Sequence, residues 1–270
     1  MFKEQGSFWI YFAGLIIMFL VIFFIFQSYS QKGVFSSVSD PVPVSTNKFA
    51  NTVTPRPTQK PTTLVTQNNV NIDITKEYTA NIVTNIGTLG IQLYAKSAPN
   101  TVANFINLAN SKYYDGTKFY KLIPSVMLQG GSDKTKNDDP LDDVYGNPGY
   151  TIPDEINWDS LDFSFELRSQ LYIKGYRSTK ILASKDIEKY SIMMASPGPN
   201  RAGSQFIILL TDISNPLVND LRGRGTVFAK SDSNSEAILE RISVMPVDNN
   251  ISSPRPIDEI IIKEIKVYSK

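Results

Sequence analysis

From Tyr78 onward the chain alternates. Tyr78, Ala80 and Ile82 are interleaved with Thr79, Asn81 and Val83; after Asn85-Ile86-Gly87 the alternation resumes at Leu89, Ile91 and Leu93. A period of two marks a strand with one buried face, and a short Asn/Gly break between two such runs predicts a hairpin. Next, Ala98-Pro99-Asn100-Thr101 opens a stretch in which Val102, Phe105, Ile106 and Ala109 fall at i, i+3, i+4 and i+7. That spacing is one face of a helix, with Asn100 or Thr101 as candidate N-cap. A second helix is predicted from Ser233, where Glu236 gives a capping-box spacing ahead of Ile238, Leu239 and Ile242. Phe163, Phe165 and Leu167 alternate with Ser164, Glu166 and Arg168, which predicts an added strand, and in residues 259–268 Ile265 and Val267 alternate with Glu264 and Lys266. Many short strands, two helices and one core over residues 77–270 point to a barrel or an α+β sandwich. No internal repeat is visible.

The first 76 residues follow other rules. Residues 8–26 are an uncharged apolar run of 19 residues. At ~1.5 Å per residue the run reaches about 28 Å, enough for the hydrocarbon core of a bilayer. It is read as a transmembrane signal anchor after a short tail at 1–7. The competing reading is a cleavable signal peptide, whose apolar core is shorter and is followed by small residues; here Phe24-Ile25-Phe26-Gln27-Ser28-Tyr29 follows. Lys3 and Glu4 on one side and Lys32 on the other give a weak charge bias, and seven residues before the run favour an N-in, C-out anchor. The domain that follows is then expected outside the cytoplasm. In residues 27–76 more than half of the positions are Ser, Thr, Pro, Asn or Gln. Such a segment buries too little apolar surface to offset its conformational entropy, so a disordered linker is expected. As a flexible coil it would reach about 40 Å.

Composition excludes several chemistries. The chain has no cysteine and no histidine, which removes thiol nucleophiles, imidazole proton transfer and the ligand sets of most zinc sites. A net charge of +1 gives no reason to expect nucleic acid. Gly198-Pro199-Asn200-Arg201-Ala202-Gly203-Ser204 has the glycine spacing of a phosphate loop but no lysine before Ser204, so no nucleotide is expected. Arg222-Gly223-Arg224-Gly225 is a single RG element beside a strand and is read as a turn. Asp133, Asp138, Asp139, Asp142 and Asp143 surround Lys134 and Lys136 without the spacing of an EF-hand, and are read as a solvated loop holding no metal.

Two blocks carry a family resemblance. Phe119-Tyr120-Lys121-Leu122-Ile123-Pro124-Ser125-Val126-Met127-Leu128-Gln129-Gly130-Gly131 and Met194-Ala195-Ser196-Pro197-Gly198-Pro199-Asn200-Arg201-Ala202-Gly203-Ser204-Gln205-Phe206 resemble the two signature blocks of cyclophilins, the β-barrel peptidyl-prolyl isomerases. The resemblance extends over residues 77–270: Ile82-Val83-Thr84-Asn85-Ile86-Gly87, Ala98-Pro99-Asn100-Thr101-Val102-Ala103-Asn104-Phe105, Tyr113-Tyr114-Asp115-Gly116-Thr117-Lys118-Phe119, Gly149-Tyr150-Thr151-Ile152-Pro153-Asp154-Glu155 and Thr226-Val227-Phe228-Ala229-Lys230 are similar to other family segments, in order. It implies a mainly β fold, a closed eight-stranded antiparallel barrel capped by two helices, with an insertion at 158–190. It also implies an enzyme that needs no cofactor and acts on proline-containing polypeptides.

Residue by residue, Lys121 stands at the place of the family's catalytic arginine and Gln129 at that of the glutamine that orients it. Phe119, Val126, Met127, Ile207 and Leu217 match pocket positions, and Ala195, Ser196 and Gln205 match positions that hold the substrate backbone. The departures are specific. Lysine offers one mobile ammonium where arginine offers a planar fork. Val126 and Ile207 replace phenylalanines, and the usual tryptophan and histidine before the Thr226 strand are absent. The insertion reads either as a lid or partner-binding element, or as a surface excursion with its own apolar patch. Two functions stay open: a peptidyl-prolyl isomerase that assists folding at a membrane, and a weakly catalytic prolyl-peptide-binding chaperone.

Overall fold

The structure, a computed structural model, describes residues 72–137, 139–180, 183–249 and 253–270. The expected anchor at 8–26 and the linker up to residue 71 lie outside the described residues. Among those described, no helix is long and apolar enough to cross a membrane. Residues 72–76, assigned to the linker by composition, instead form a turn that packs Ile72 against the core.

Eight strands form one antiparallel sheet. In chain order the elements are β1 (Tyr78–Thr84), β2 (Thr88–Leu93), α1 (Pro99–Asn110), β3 (Lys121–Ile123), β4 (Met127–Gly130), α2 (Phe165–Ile173), β5 (Ser191–Met194), β6 (Phe206–Leu209), α3 (Pro216–Asn219), β7 (Val227–Ser231), α4 (Glu236–Ser243), β8 (Val247–Asp248), β9 (Arg255–Pro256) and β10 (Ile262–Ser269). The sheet order is β10-β1-β2-β7-β5-β6-β4-β3, and β8 pairs with β9 separately. The predicted β1–β2 hairpin is present, closed by Thr84 N–H donating to Gly87 O at 2.9 Å. In β10 both Ile262 and Ile265 are buried although three residues apart, because a register shift opposite Val83/Thr84 absorbs Lys263.

The closed barrel is corrected to a curled sheet whose two end strands do not pair. Their neighbourhood is joined by the isolated bridge Lys118↔Ile261 and the backbone hydrogen bonds around it, from Gly116 N–H to Ile262 O, Phe119 N–H to Ile260 O and Ile262 N–H to Thr117 O. The cause is local: β3 has only three residues and Pro124 follows it, while its free side meets Pro254, whose carbonyl accepts from Leu122 N–H at 2.8 Å. Pro254 and Pro256 have no N–H to continue a ladder.

The helices reveal three more differences. α1 carries the predicted face, with Val102, Phe105, Ile106 and Ala109 all buried, but Ala98 is its N-cap and Pro99 its first residue. Asn100 and Thr101 are donors to Glu155, a carboxylate from another loop that supplies the cap. The helix predicted from Ser233 begins after one 3-10 turn, where Asp232 rather than Ser233 accepts from Ser235 N–H. The strand predicted through Phe163, Phe165 and Leu167 is helix α2 instead, capped by Ser164 accepting from Leu167 N–H. Leu171 is buried and Leu167 packs beside it, whereas Phe165 is 87% exposed, so the inward spacing is helical and the alternation coincidental.

Inside the curl, Phe105, Tyr114, Phe119, Phe206 and Phe228 meet at ring separations of 5.2 to 5.9 Å. α1 packs on this core beside β10, and α4 adds Leu239 and Ile242 to it.

Candidate functional site

Strands β3, β4, β6, β5 and β7 carry apolar side chains on both faces. Cross-strand partners share a face, so the register sorts the side chains into two sets. Leu122, Leu128, Ile208, Ile192 and Ala229 form one row and belong to the core inside the curl. Lys121, Gln129, Ile207, Met193 and Val227 form the adjacent row on the opposite face. Two residues along, Ile123, Met127 and Leu209 extend that second face. Its apolar members join Val126, Ile187 and Val218 in a separate cluster, with Tyr94, Ala195 and Leu221 packed around it. A cation and an amide at the end of an oily row are therefore a direct consequence of register. A one-residue slip would place both inside the core.

Gln129 sits in a short polar network. Its Nε2 donates to Tyr120 Oη at 2.6 Å and to Gln205 Oε1 at 3.0 Å, and Tyr120 Oη donates to the same Gln205 oxygen at 2.6 Å. Gln205 Nε2 in turn donates to the backbone carbonyls of Gly146 at 2.8 Å and Val144 at 3.1 Å. Tyr120 is buried. Burial, reinforced by the negative charge of Asp143 and opposed by the Gln129 hydrogen bond, pushes its hydroxyl well above the ordinary tyrosine range. It stays a neutral hydroxyl. Lys121 is half-buried on β3, and among the described residues its ammonium makes no hydrogen bond or ion pair.

The turn at Gly130-Gly131 has steric reasons to be glycine. A Cβ on Gly130 would lie 2.8 Å from the Phe119 ring, and Gly131 adopts φ +86° with Ser204 O where its Cβ would be 2.6 Å away. This close approach brings β4 against the loop that leads into β6. That loop is held by Ala195 N–H donating to Gln205 O at 2.9 Å and by the Ile152↔Ala202 bridge. Asp154 and Asn200 exchange bonds across it: Asp154 N–H donates to Asn200 Oδ1 at 2.9 Å, and Asn200 N–H to Asp154 Oδ2 at 2.8 Å. Burial raises the Asp154 carboxyl to about 6, against the lowering effect of the Asn200 N–H.

Of the expected site residues, Lys121, Gln129, Val126, Met127 and Ile207 come together on the outer face, with Ala195 at its edge and Gln205 joined through the network. Ser196 lies in the same loop, but its hydroxyl is turned onto Gly198. Phe119 is not on this face: it is 2% exposed and packs edge-on against Phe206 in the main core, since the alternation breaks before β3, where Tyr120 N–H donates to the carbonyl of Gln129, the residue paired with Lys121. Leu217 is also elsewhere, 58% exposed on the one-turn helix α3. Leu221 packs against the Met127 cluster instead. Counting back from Thr226-Val227-Phe228, rather than reading the Asn215-Pro216-Leu217 string, is the signal that finds it. Tyr120 carries no local signal of its place in the network, since Gln205 lies 85 residues away in sequence and only the fold brings the two together.

The expected solvated acidic loop is partly built in. Asp143 is buried and faces Arg255, Nη2 to Oδ2 at 2.5 Å. Burial still holds its carboxyl above the usual range. Among the described residues no group of three or more Asp, Glu, His or Cys side chains could hold a metal ion. Trp158, Phe163, Leu171 and Tyr176 of the insertion form a separate apolar cluster with Ile156. It braces the Leu221 turn: Arg222 lies 4.7 Å over the Phe163 ring and is paired with Asp186. A Cβ on Gly223 would fall 2.6 Å from Leu171 Cδ1. Gly225, in the region of the missing histidine, leaves no room for a side chain beside Met193 and Met194.

The chain is 30% identical over 205 residues to peptidyl-prolyl cis-trans isomerase A of Mycobacterium tuberculosis, covering 70% of this chain and 91% of that protein. It is 27% identical over 207 residues to peptidyl-prolyl cis-trans isomerase B of Streptomyces anulatus, covering 71% and 97%. A crystal structure of a Cryptosporidium parvum cyclophilin type peptidyl-prolyl cis-trans isomerase matches with a TM-score of 0.49 at 30% identity, over 72% of this chain and 99% of that one. The family model described as "Cyclophilin type peptidyl-prolyl cis-trans isomerase/CLD" matches residues 79–267. The chain belongs to the cyclophilin-type peptidyl-prolyl cis-trans isomerases.

Proposed function

We propose that Lys121 is the electrostatic catalyst of X-Pro exchange in this isomerase, and that Gln129, Gln205 and the Val126, Met127, Ile207 and Leu221 side chains hold the prolyl peptide. The observation that carries this is the register: Lys121 and Gln129 are directly opposed and share a face with Met127 and Ile207. Rotation about an X-Pro bond breaks amide resonance, a barrier of ~18–20 kcal/mol, and leaves a lone pair on the prolyl nitrogen. A cation beside the ring binds that twisted state better than either planar one, which is the requirement for acceleration. The pyrrolidine packs on the apolar row, beside the two glutamines. No acid, base, nucleophile or metal takes part in this scheme, which suits a chain without histidine or cysteine.

Replacing arginine by lysine costs one charge-assisted hydrogen bond, roughly 1.5–3 kcal/mol. If that bond forms only in the transition state, the rate falls about ten- to a hundredfold. The same substitution favours the second reading, a prolyl-peptide-binding module with little turnover. The two separate in an exchange assay on the full-length chain with a proline peptide. Lys121→Ala should remove most of the acceleration while peptide binding persists, whereas a pure binder gives the uncatalysed rate before and after substitution.

We extend the proposal to location. The 8–26 run anchors the chain in a membrane with residues 72–270 on the extracytoplasmic side, where the domain assists the folding of proteins. Alkaline extraction of membranes and protease accessibility in sealed vesicles test it; release at high pH would refute the anchor.

A further inference from the structure

The amide of Gln129 has two ends, and the network around it decides which end faces out. Gln205 fixes the direction first. Its Nε2 donates to two backbone carbonyls, Gly146 O at 2.8 Å and Val144 O at 3.1 Å, so its Oε1 is the end that points at Tyr120. Tyr120 has one proton, and it goes to that oxygen at 2.6 Å. The remaining role for the tyrosine oxygen toward Gln129 is acceptor, so Gln129 must present Nε2 to it, at 2.6 Å. Both Nε2 protons are then accounted for, the second on Gln205 Oε1 at 3.0 Å. Gln129 Oε1 is left without a partner among the described residues, on the row it shares with Lys121.

We propose that Tyr120 is a positioning residue that locks the Gln129 amide with its oxygen toward Lys121. That oxygen is the acceptor a single ammonium needs to be held over a prolyl nitrogen. Arginine's fork can bond a glutamine and the substrate together; lysine has three donors on one rotatable atom and depends more on a fixed acceptor. A tyrosine that remains a neutral hydroxyl across the physiological range makes the lock insensitive to pH. This inference rests on Lys121 acting as proposed above, and extends it to a residue that touches neither substrate nor reacting atoms.

The experiment is a double-mutant cycle on the full-length chain. Tyr120→Phe keeps the ring and removes the hydroxyl. In the Lys121 background it should lower kcat about three- to tenfold with KM unchanged within twofold. In the Lys121→Ala background it should change kcat by less than twofold. A Lys121→Ala variant as active as the wild type overturns both this inference and the catalytic reading. If Lys121→Ala is impaired but Tyr120→Phe has no effect, or the same effect in both backgrounds, the positioning role alone is overturned. A measurement on the unsubstituted chain keeps the test independent of folding. The Gln129 side-chain amide protons should exchange with solvent at least tenfold more slowly than those of an exposed glutamine, at a position of constant chemical shift from pH 5 to 9. Fast exchange would contradict the lock.

Discussion

Glu155→Ala perturbs the point where α1 joins the site loop. The Glu155 side chain is buried and accepts four hydrogen bonds, from Asn100 N–H at 3.0 Å, Asn100 Nδ2 at 3.0 Å, Thr101 N–H at 2.8 Å and Thr101 Oγ1 at 2.7 Å. Two of these donors are backbone groups that no helical carbonyl can satisfy, and the carboxylate also faces the positive end of the helix. Removing a cap typically costs about 1 kcal/mol, and leaving a buried donor unpaired about 1–3 kcal/mol. With water reaching the more exposed Asn100, the sum for alanine is about 3–4 kcal/mol. Glu155→Gln keeps two or three of the bonds and loses the charge, for about 1–2 kcal/mol. For a domain of this size 1 kcal/mol is about 2–4 °C, so the alanine variant should melt about 10 °C lower and the glutamine variant about 4 °C lower. Urea unfolding followed by tryptophan fluorescence checks the order. A loss below 1 kcal/mol for alanine, or equal losses for both variants, would refute the reasoning that this carboxylate caps the helix.

Three further substitutions test other parts of the account. Asp154 carries a folded-state value of about 6 against an ordinary 3.8, so its contribution is fully present below about pH 4 and is lost as the pH rises through 6, by at most about 3 kcal/mol. Asp154→Asn should flatten the stability profile between pH 4 and 7 and be the more stable form at pH 7.5; an unchanged slope contradicts the assignment. Leu221→Ala should raise KM for a proline peptide about three- to tenfold, through lost apolar contact, whereas Leu217→Ala, at an exposed position, should change neither KM nor stability beyond about 0.5 kcal/mol. The reverse pattern would restore Leu217 to the pocket.

The strands and α1 were legible because their burial has a simple period. Ala80, Ile82, Leu89, Ile91, Val102 and Phe105 point inward as their spacing predicts. The same rule misled at Phe163-Phe165-Leu167, where one turn of alternation fits a helix whose first turn leaves a phenylalanine in solvent. The cap of α1 was not legible at all, since the acceptor lies 54 residues away from Thr101 and only the fold brings it there. Closure of the sheet failed on two prolines whose lack of N–H matters only once they are placed beside β3. At the site, strand register brings Lys121, Gln129 and Met127 onto one face, and a side-chain hydrogen bond adds Gln205. Phe119 and Leu217 were misplaced because a string does not say which face a residue takes. Tyr120 required the hydrogen-bond network.

The most direct test of the central claim is the rate of X-Pro exchange with position 121 as lysine, arginine and alanine, in the full-length chain at equal peptide occupancy. A cation acting on the twisted amide predicts an order of arginine above lysine above alanine, with alanine at least tenfold below lysine and close to the uncatalysed rate. Three equal rates, or an alanine variant as fast as lysine, would contradict it.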